Sequence, residues 1–141
     1  MSLLLDTNVI SEIRKVETTA NPGLRDWFLA LAPETPTFLS VLTIYEIRHG
    51  IERAKLKASQ NPLQLEEWLR QLQETFSDRI LPITTAIASR AAGFHATTRR
   101  TLPLVDALLA STAVEHDLLF VTRNTKDIED TGVDYLDPFS D

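Results

Sequence analysis

Cysteine is absent from this sequence, and glycine and histidine are scarce. Without cysteine the chain has no disulfide, no cysteine-based zinc site and no thiol nucleophile, so a metal must take oxygen or histidine ligands. The four glycines are too scattered for a phosphate-binding loop or a dinucleotide fingerprint, and no serine lies in a Gly-x-Ser-x-Gly elbow. The three histidines fall on different predicted helices without paired i, i+4 spacing, which argues against a histidine metal site.

Long hydrophobic runs are also missing. The opening apolar run ends at Asp6, and it is shorter than the ~7 to 15 residues of a signal-peptide core. No other stretch approaches the ~18 to 20 apolar residues of a membrane span. We therefore expect a cytoplasmic protein with no membrane association.

The composition is that of one ordinary globular domain. The 141 residues are 43% hydrophobic and 24% charged, which fits a single domain over 1–141 at ~100 to 200 residues per domain. The formal charge is −6, and residues 115–141 alone hold eight acidic and two basic side chains. The negative net charge argues against binding nucleic acid by overall charge. Residues 1–114 have no net charge, however, which leaves room for a local basic patch there.

Short apolar runs alternate with segments of helical periodicity. We predict strands at Leu3–Leu5, Thr37–Val41, Ile80–Ile83 and Leu118–Val121, and a short fifth strand at Val133–Leu136. Continuous apolar strands separated by helices indicate an α/β fold, with a mostly parallel sheet of four or five strands and helices on both faces. In such a sheet a ligand binds at the carboxyl ends of the strands, near a switch in strand order.

Acidic side chains follow the predicted strands. Asp6 comes directly after the first strand, and Glu46 is expected in the first turn of a helix starting near Thr43. Asp106 lies in the first turn of the helix after Pro103 and Asp127 just beyond the fourth strand, so all four carboxylates can reach the same edge of the sheet. Each also has a purely structural interpretation, because acids are common at helix starts.

These structural interpretations are specific. Asp6 can cap the helix that follows it, Thr43 and Glu46 fit a capping box, and Asp106 can interact with the positive end of its helix. Together, however, carboxylates that face one crevice raise one another's pKa unless a cation neutralises them. Ligation by oxygen alone selects Mg²⁺ or Mn²⁺, and such a site is suited to phosphoryl chemistry.

Four blocks of the sequence resemble PIN-domain ribonucleases of the VapC and FitB type, the toxins of bacterial toxin–antitoxin pairs. In order they are LLDTNVISE at 4–12, LSVLTIYEIRHG at 39–50, LVDALLA at 104–110 and VTRNTKD at 121–127. The resemblance covers nearly the whole chain. It implies a PIN fold, an endoribonuclease that uses Mg²⁺ or Mn²⁺, a small antitoxin that blocks the acidic pocket, and a homodimer.

Carried over by position, the resemblance implies that Asp6, Glu46 and Asp106 hold the metal and activate water. Asn8 would orient Asp6, and Thr122 would shape the floor of the pocket. Many relatives place a further aspartate two residues after that threonine. Here this position is Asn124, so either Asn124 or Asp127 fills the fourth metal-binding position.

Basic residues near these blocks are candidates for RNA binding. Arg99 and Arg100 precede the helix of Asp106, and Arg48 lies on the helix of Glu46. Arginine suits phosphate. The alternative is that these side chains are ordinary solvated surface.

Two other functions stay open at this point. A hydrophobic strand followed by Asp6 and Thr7 also opens phosphohydrolases of the haloacid-dehalogenase type, in which the aspartate is the nucleophile. That chemistry requires a second aspartate two residues on, where this chain has Asn8. A PIN domain that binds nucleic acid without cutting it is the other alternative, and the three acids count against it.

Overall fold

Strands and helices alternate along the chain. The computed structural model describes residues 1–18, 20–57, 61–98 and 101–140. Within these ranges the strands are β1 (Leu3–Leu5), β2 (Thr37–Ser40), β3 (Ile80–Leu81), β4 (Leu119–Val121) and β5 (Tyr135–Leu136). The α-helices are α1 (Thr7–Ile13), α2 (Pro22–Ala30), α3 (Val41–Ala54), α4 (Pro62–Thr75), α5 (Thr85–Thr97), α6 (Leu104–Glu115) and α7 (Thr125–Ile128).

The five strands form one parallel sheet in the order β3-β2-β1-β4-β5. This confirms the predicted α/β fold. The chain builds outward from β1 to β3 on one side and then returns to place β4 on the other side of β1. The switch in strand order therefore lies between β1 and β4, where a ligand crevice is expected at the carboxyl ends. Pro82 follows β3, which is an edge strand as the proline predicts.

Side chains of β1 enter two separate cores. Leu3 and Leu5 belong to one buried cluster and Leu4 to the other, because successive side chains of a strand point to opposite faces. All three are almost fully buried. Helices therefore cover both faces of the sheet, as the unbroken apolar run predicts.

The start of α3 differs from the prediction. The strand was expected to extend through Val41 and the helix to begin near Thr43. The helix instead begins at Val41, because the Ser40 hydroxyl accepts a hydrogen bond of 3.0 Å from the Leu42 N–H and serves as the N-cap. The capping-box interpretation of Thr43 and Glu46 is therefore wrong. Glu46 lies in the second turn, not in the first.

The C-terminal segment is fastened to the start of α2. Asn21 accepts from the Ser140 N–H at 2.8 Å and donates through Nδ2 to the Ser140 carbonyl at 3.0 Å. A Cβ atom at Gly23 would lie 2.6 Å from the backbone nitrogen of Ser140, so the close approach requires glycine. Phe139 packs against the core under the guanidinium of Arg123. None of the described helices is long and apolar enough to cross a membrane.

Candidate active site

Asp6 lies at the switch point, buried between β1 and β4. Its Oδ1 accepts a 2.7 Å hydrogen bond from the Thr7 N–H, so Asp6 does cap α1. Its Oδ2 accepts a 2.6 Å bond from the Thr122 hydroxyl, and the Asn8 amide lies 3.4 Å from the same oxygen. The structural interpretation of Asp6 as a cap is thus correct, and the same carboxylate also faces the crevice.

Thr122 forms the base of the crevice directly after β4. Its side chain is fully buried, and its hydroxyl donates to Asp6 while accepting a 3.0 Å bond from the Asn124 N–H. The role of Thr122 in shaping the floor of the pocket stays a prediction. Its hydrogen bond joins two strands whose ends are neighbours only because the strand order reverses there.

Glu46 is held by a side chain that the sequence analysis did not single out. The Thr7 hydroxyl donates a 2.6 Å hydrogen bond to Oε1 of Glu46. The Thr43 hydroxyl lies 3.1 Å from the same Thr7 oxygen. Thr43 is therefore a buried contact of α1 and not a helix cap. No local signal marks Thr7 for this role, because the hydrogen bond spans 39 positions.

Asp106 is electrostatically coupled to Asp127 as well as to Asp6 and Glu46. Asp106 lies in the first turn of α6 and is 8% exposed. Burial raises the pKa of Asp106 to about 7, with further contributions from the negative charges of Asp6 and Asp127, a hydrogen bond with Asp127, and the charge of Glu46. The four carboxylates predicted at the strand ends are therefore electrostatically coupled.

The pKa of Asp6 is also raised. Burial is the main cause, and the negative charge of Glu46 adds to it. The hydrogen bonds from Thr122 and from the Thr7 N–H stabilise the charged form and offset only part of the effect. The crevice thus concentrates negative charge that the side chains of the described residues do not neutralise.

Asn124 occupies the N-cap position of α7, where its side chain is exposed and makes no capping hydrogen bond with that helix. Asp127 lies one turn further on and is half-buried. Of the two residues considered for the fourth position, Asp127 is the one that interacts with Asp106. Its role toward a metal stays a prediction, as do the roles of Asp6, Glu46, Asp106, Asn8 and Thr122.

Of the three candidate RNA-binding arginines, the structure describes only Arg48. Arg48 forms ion pairs with Glu52 at 3.5 Å and with Glu66 at 3.0 Å, and Lys55 pairs with the same two glutamates. This arrangement favours the alternative of a surface ion-pair network for Arg48. Arg99 and Arg100 lie outside the described residues.

The donor set of the crevice fits a hard divalent cation, because every candidate ligand is a carboxylate or amide oxygen. Burial, together with the negative charges of neighbouring carboxylates, also raises the pKa of Asp6 and Asp106, and a cation would favour their charged forms. In the described part of the chain, the His, Cys, Asp and Glu side chains form no group of three that could hold a metal ion in its present arrangement. The oxygens of Asp6 and one oxygen of Glu46 are instead occupied by hydrogen bonds.

The PIN domain family model matches residues 3–133. The chain belongs to the PIN domain family, as the four sequence blocks predict. Its fold is the one found here, an α/β domain with a five-stranded parallel sheet. Family membership does not support the phosphohydrolase alternative, which requires a different fold.

Relatives of similar length support this assignment. The plasmid stability protein StbB of Pseudomonas syringae pv. tomato is 34% identical over 146 residues, covering 97% of this chain and 98% of that protein. The VapC ribonuclease Y4jK of Sinorhizobium fredii is 30% identical, with 97% of each chain covered. The crystal structure of FitAcB from Neisseria gonorrhoeae is similar with a TM-score of 0.82 and 31% identity, covering 96% of this chain and 97% of the other. The resemblance to VapC and FitB proteins is confirmed.

Proposed function

We propose that this chain, with 1–141 as one PIN domain, is a divalent-metal-dependent endoribonuclease and the toxin of a toxin–antitoxin pair. The observation that supports it best is the electrostatic coupling of Asp6, Glu46, Asp106 and Asp127 at the carboxyl edge of the sheet. The similarity to a VapC ribonuclease over almost the full length supports the same activity.

Asp6, Glu46 and Asp106 would hold the metal, with Asp127 as the fourth acid. A bound Mg²⁺ or Mn²⁺ supplies positive charge that neutralises these carboxylates, polarises a phosphodiester and favours deprotonation of water. Thr122 and Thr7 fix the orientation of Asp6 and Glu46 through their hydroxyl groups. Without a cation, the Asp106 carboxyl retains its proton up to about pH 7.

The proposed partners are RNA as substrate, an antitoxin and a second copy of the chain. The antitoxin and the homodimer follow from the resemblance to VapC and FitB proteins, which is confirmed at the family level. A homodimer predicts twice the monomer mass of 15.9 kDa in light scattering. Co-expression with the protein encoded beside it tests the antitoxin: a stable complex with suppressed cleavage is expected.

The activity is tested by incubating the purified chain with single-stranded and structured RNA in Mg²⁺, in Mn²⁺ and in chelator. We expect cleavage with either metal and none in chelator. Glu46→Gln and Asp106→Asn should each lower the rate by about 10²–10⁴-fold, the usual contribution of a positioned acid or base. Asp26→Asn, a change of an exposed aspartate on α2, is the matched control and should cleave like the parent.

Three results would contradict the proposal. Cleavage that persists in chelator would argue against metal dependence. Full activity of both crevice variants, with the same circular dichroism as the parent, would place the chemistry elsewhere. RNA binding without cleavage in any metal would favour the alternative of a non-catalytic binding domain.

A further inference from the structure

A groove of about 310 Å³ adjoins the acidic crevice between α1, α3 and α4. At one end it is lined by Thr7 and Glu46, the hydrogen-bonded pair described above. It extends from there along α1 to Arg14 and Lys15, with Trp68 of α4 on the opposite side. The groove is thus continuous with the proposed reaction site.

Arg14 and Trp68 form a flat cationic surface in this groove. The guanidinium carbon of Arg14 lies 5.2 Å from the centroid of the Trp68 ring. The Arg14 side chain is exposed and forms no ion pair with any residue in the described ranges. Trp68 is half-buried and packs against the core, so its ring is held in place. A guanidinium stacked on an indole presents a planar positive face to solvent.

The charge of Arg14 contrasts with that of the neighbouring basic residues. Arg48 and Lys55 are exposed on α3 or just beyond it, but both are paired with Glu52 and Glu66. Their positive charge is therefore neutralised within the protein. Arg14 has no such partner in the ranges that the structure describes, and its charge is available to an anionic ligand.

We propose that this groove binds the nucleotide next to the scissile phosphate of a single-stranded RNA, with Arg14 holding a phosphate and the Arg14–Trp68 stack supporting a base. The inference rests on the proposed ribonuclease function and extends it to the substrate. A strand whose phosphate lies at the carboxylates must continue over the adjoining surface, and this groove is an adjoining surface that carries both a cation and an aromatic ring. Base stacking on aromatic side chains and phosphate contacts with arginine are the usual components of single-strand binding.

Apolar side chains also line the groove, among them Ile47, Ile51 and Leu65. A segment of a partner protein could use them instead. The free positive charge and the continuity with the acidic crevice favour RNA as the occupant. The acidic cluster alone would repel the phosphates of an RNA backbone, whereas a cation beside the cluster attracts them. Occupation by protein alone is one of the results that the following experiments distinguish.

The first test compares steady-state cleavage of a single-stranded RNA by the parent, Arg14→Ala, Arg14→Lys and Arg25→Ala. We expect Arg14→Ala to raise KM about tenfold with kcat changed less than threefold, and to flatten the salt dependence of kcat/KM by about 0.7 in logarithmic slope, the value for one lost phosphate contact. Arg14→Lys keeps the charge and should fall between the parent and Arg14→Ala. Arg25 is an exposed arginine of α2 outside the groove, and its alanine variant should match the parent.

The second test follows Trp68 directly. Trp27→Phe leaves Trp68 as the sole tryptophan. Titration of a Trp27→Phe, Asp106→Asn double variant with the same RNA in Mg²⁺, where little cleavage is expected, should quench its fluorescence. Unchanged fluorescence at RNA concentrations above the parent's KM would overturn the stacking contact.

The outcomes separate this inference from the proposed function. A parent that cleaves RNA while Arg14→Ala behaves like Arg25→Ala would overturn the groove and leave the ribonuclease intact. If the groove binds only a partner protein, Arg14→Ala should again cleave RNA like Arg25→Ala, and RNA should leave the fluorescence of Trp68 unchanged. A parent that neither cleaves nor binds RNA would overturn both proposals.

Discussion

Replacing Asp106 with asparagine is expected to stabilise the metal-free protein above neutral pH. The folded-state pKa of Asp106 is about 7, against an ordinary value of 3.8. Between these two values the native state binds the proton more tightly than the unfolded chain does, so the free energy of unfolding falls as pH rises through about 4 to 7. Above about pH 7 the carboxylate is charged in both states, and the full destabilisation is present.

The magnitude follows from the size of the shift. About three pKa units correspond to at most about 4 kcal/mol, and solvent that reaches the crevice screens part of this, so we expect about 1–2 kcal/mol. For a chain of this length that is a melting temperature roughly 3–6 °C above that of the parent at pH 8. At pH 4 the two proteins should melt almost together, because Asp106 is then protonated in the native state and about 40% protonated in the unfolded chain, so little of the destabilisation has developed.

The assay is thermal unfolding in chelator from pH 4 to 8.5, followed by circular dichroism. Asp26→Asn is the control for loss of one negative charge on the surface and should keep the pH dependence of the parent. Parallel curves for Asp106→Asn and the parent would refute the coupling of Asp106 to the crevice. A variant that is about 1 kcal/mol less stable than the parent at pH 8 would instead show that Asp106 mainly stabilises the start of α6.

Three further changes test other contacts. Thr7→Val removes the hydrogen bond to Glu46 and should lower RNA cleavage about tenfold, with activity restored in Thr7→Ser; equal activity of all three would exclude a positioning role. Asp127→Asn should reduce the rise in melting temperature caused by Mg²⁺ more than Asn124→Asp changes it, because Asp127 is the residue coupled to Asp106; the reverse order would assign the fourth position to Asn124. Gly23→Ala should destabilise by about 1–3 kcal/mol in urea unfolding, because its Cβ would overlap the C-terminal segment; a stability equal to the parent would mean that this segment moves freely aside.

The sheet and the acidic residues were predictable because their signals are local. An unbroken apolar run such as Leu3–Leu5 indicates a strand buried on both faces, and a parallel sheet places whatever follows its strands at one edge. Asp6 and Asp127, which follow the first and fourth predicted strands, could therefore be assigned to the same edge before the order of the strands was known. The resemblance to PIN domains added the family, which is confirmed, and a predicted role for each acid.

Other features depend on choices that a sequence pattern leaves open. Ser40 and Thr43 both carry hydroxyl groups suited to an N-cap, and only the path of the chain after β2 decides that Ser40 caps the helix. The partner of Glu46 is a threonine 39 positions away, and the partners of Arg48 include a glutamate on another helix. Such contacts arise from tertiary packing, and the spacing of residues along the sequence does not predict them.

The hydrogen bond between Thr122 and Asp6 joins residues 116 positions apart, and this separation affects when during synthesis the crevice can form. A ribosome delivers the amino-terminal residues first, so a growing chain contains Asp6 and Glu46 long before β4 exists to close the crevice. Asp106, Thr122 and Asp127 all lie in the last third of the sequence. The crevice is therefore completed only after residue 127 has been synthesised, and a product interrupted before that point carries the first acids without the residues that complete the crevice.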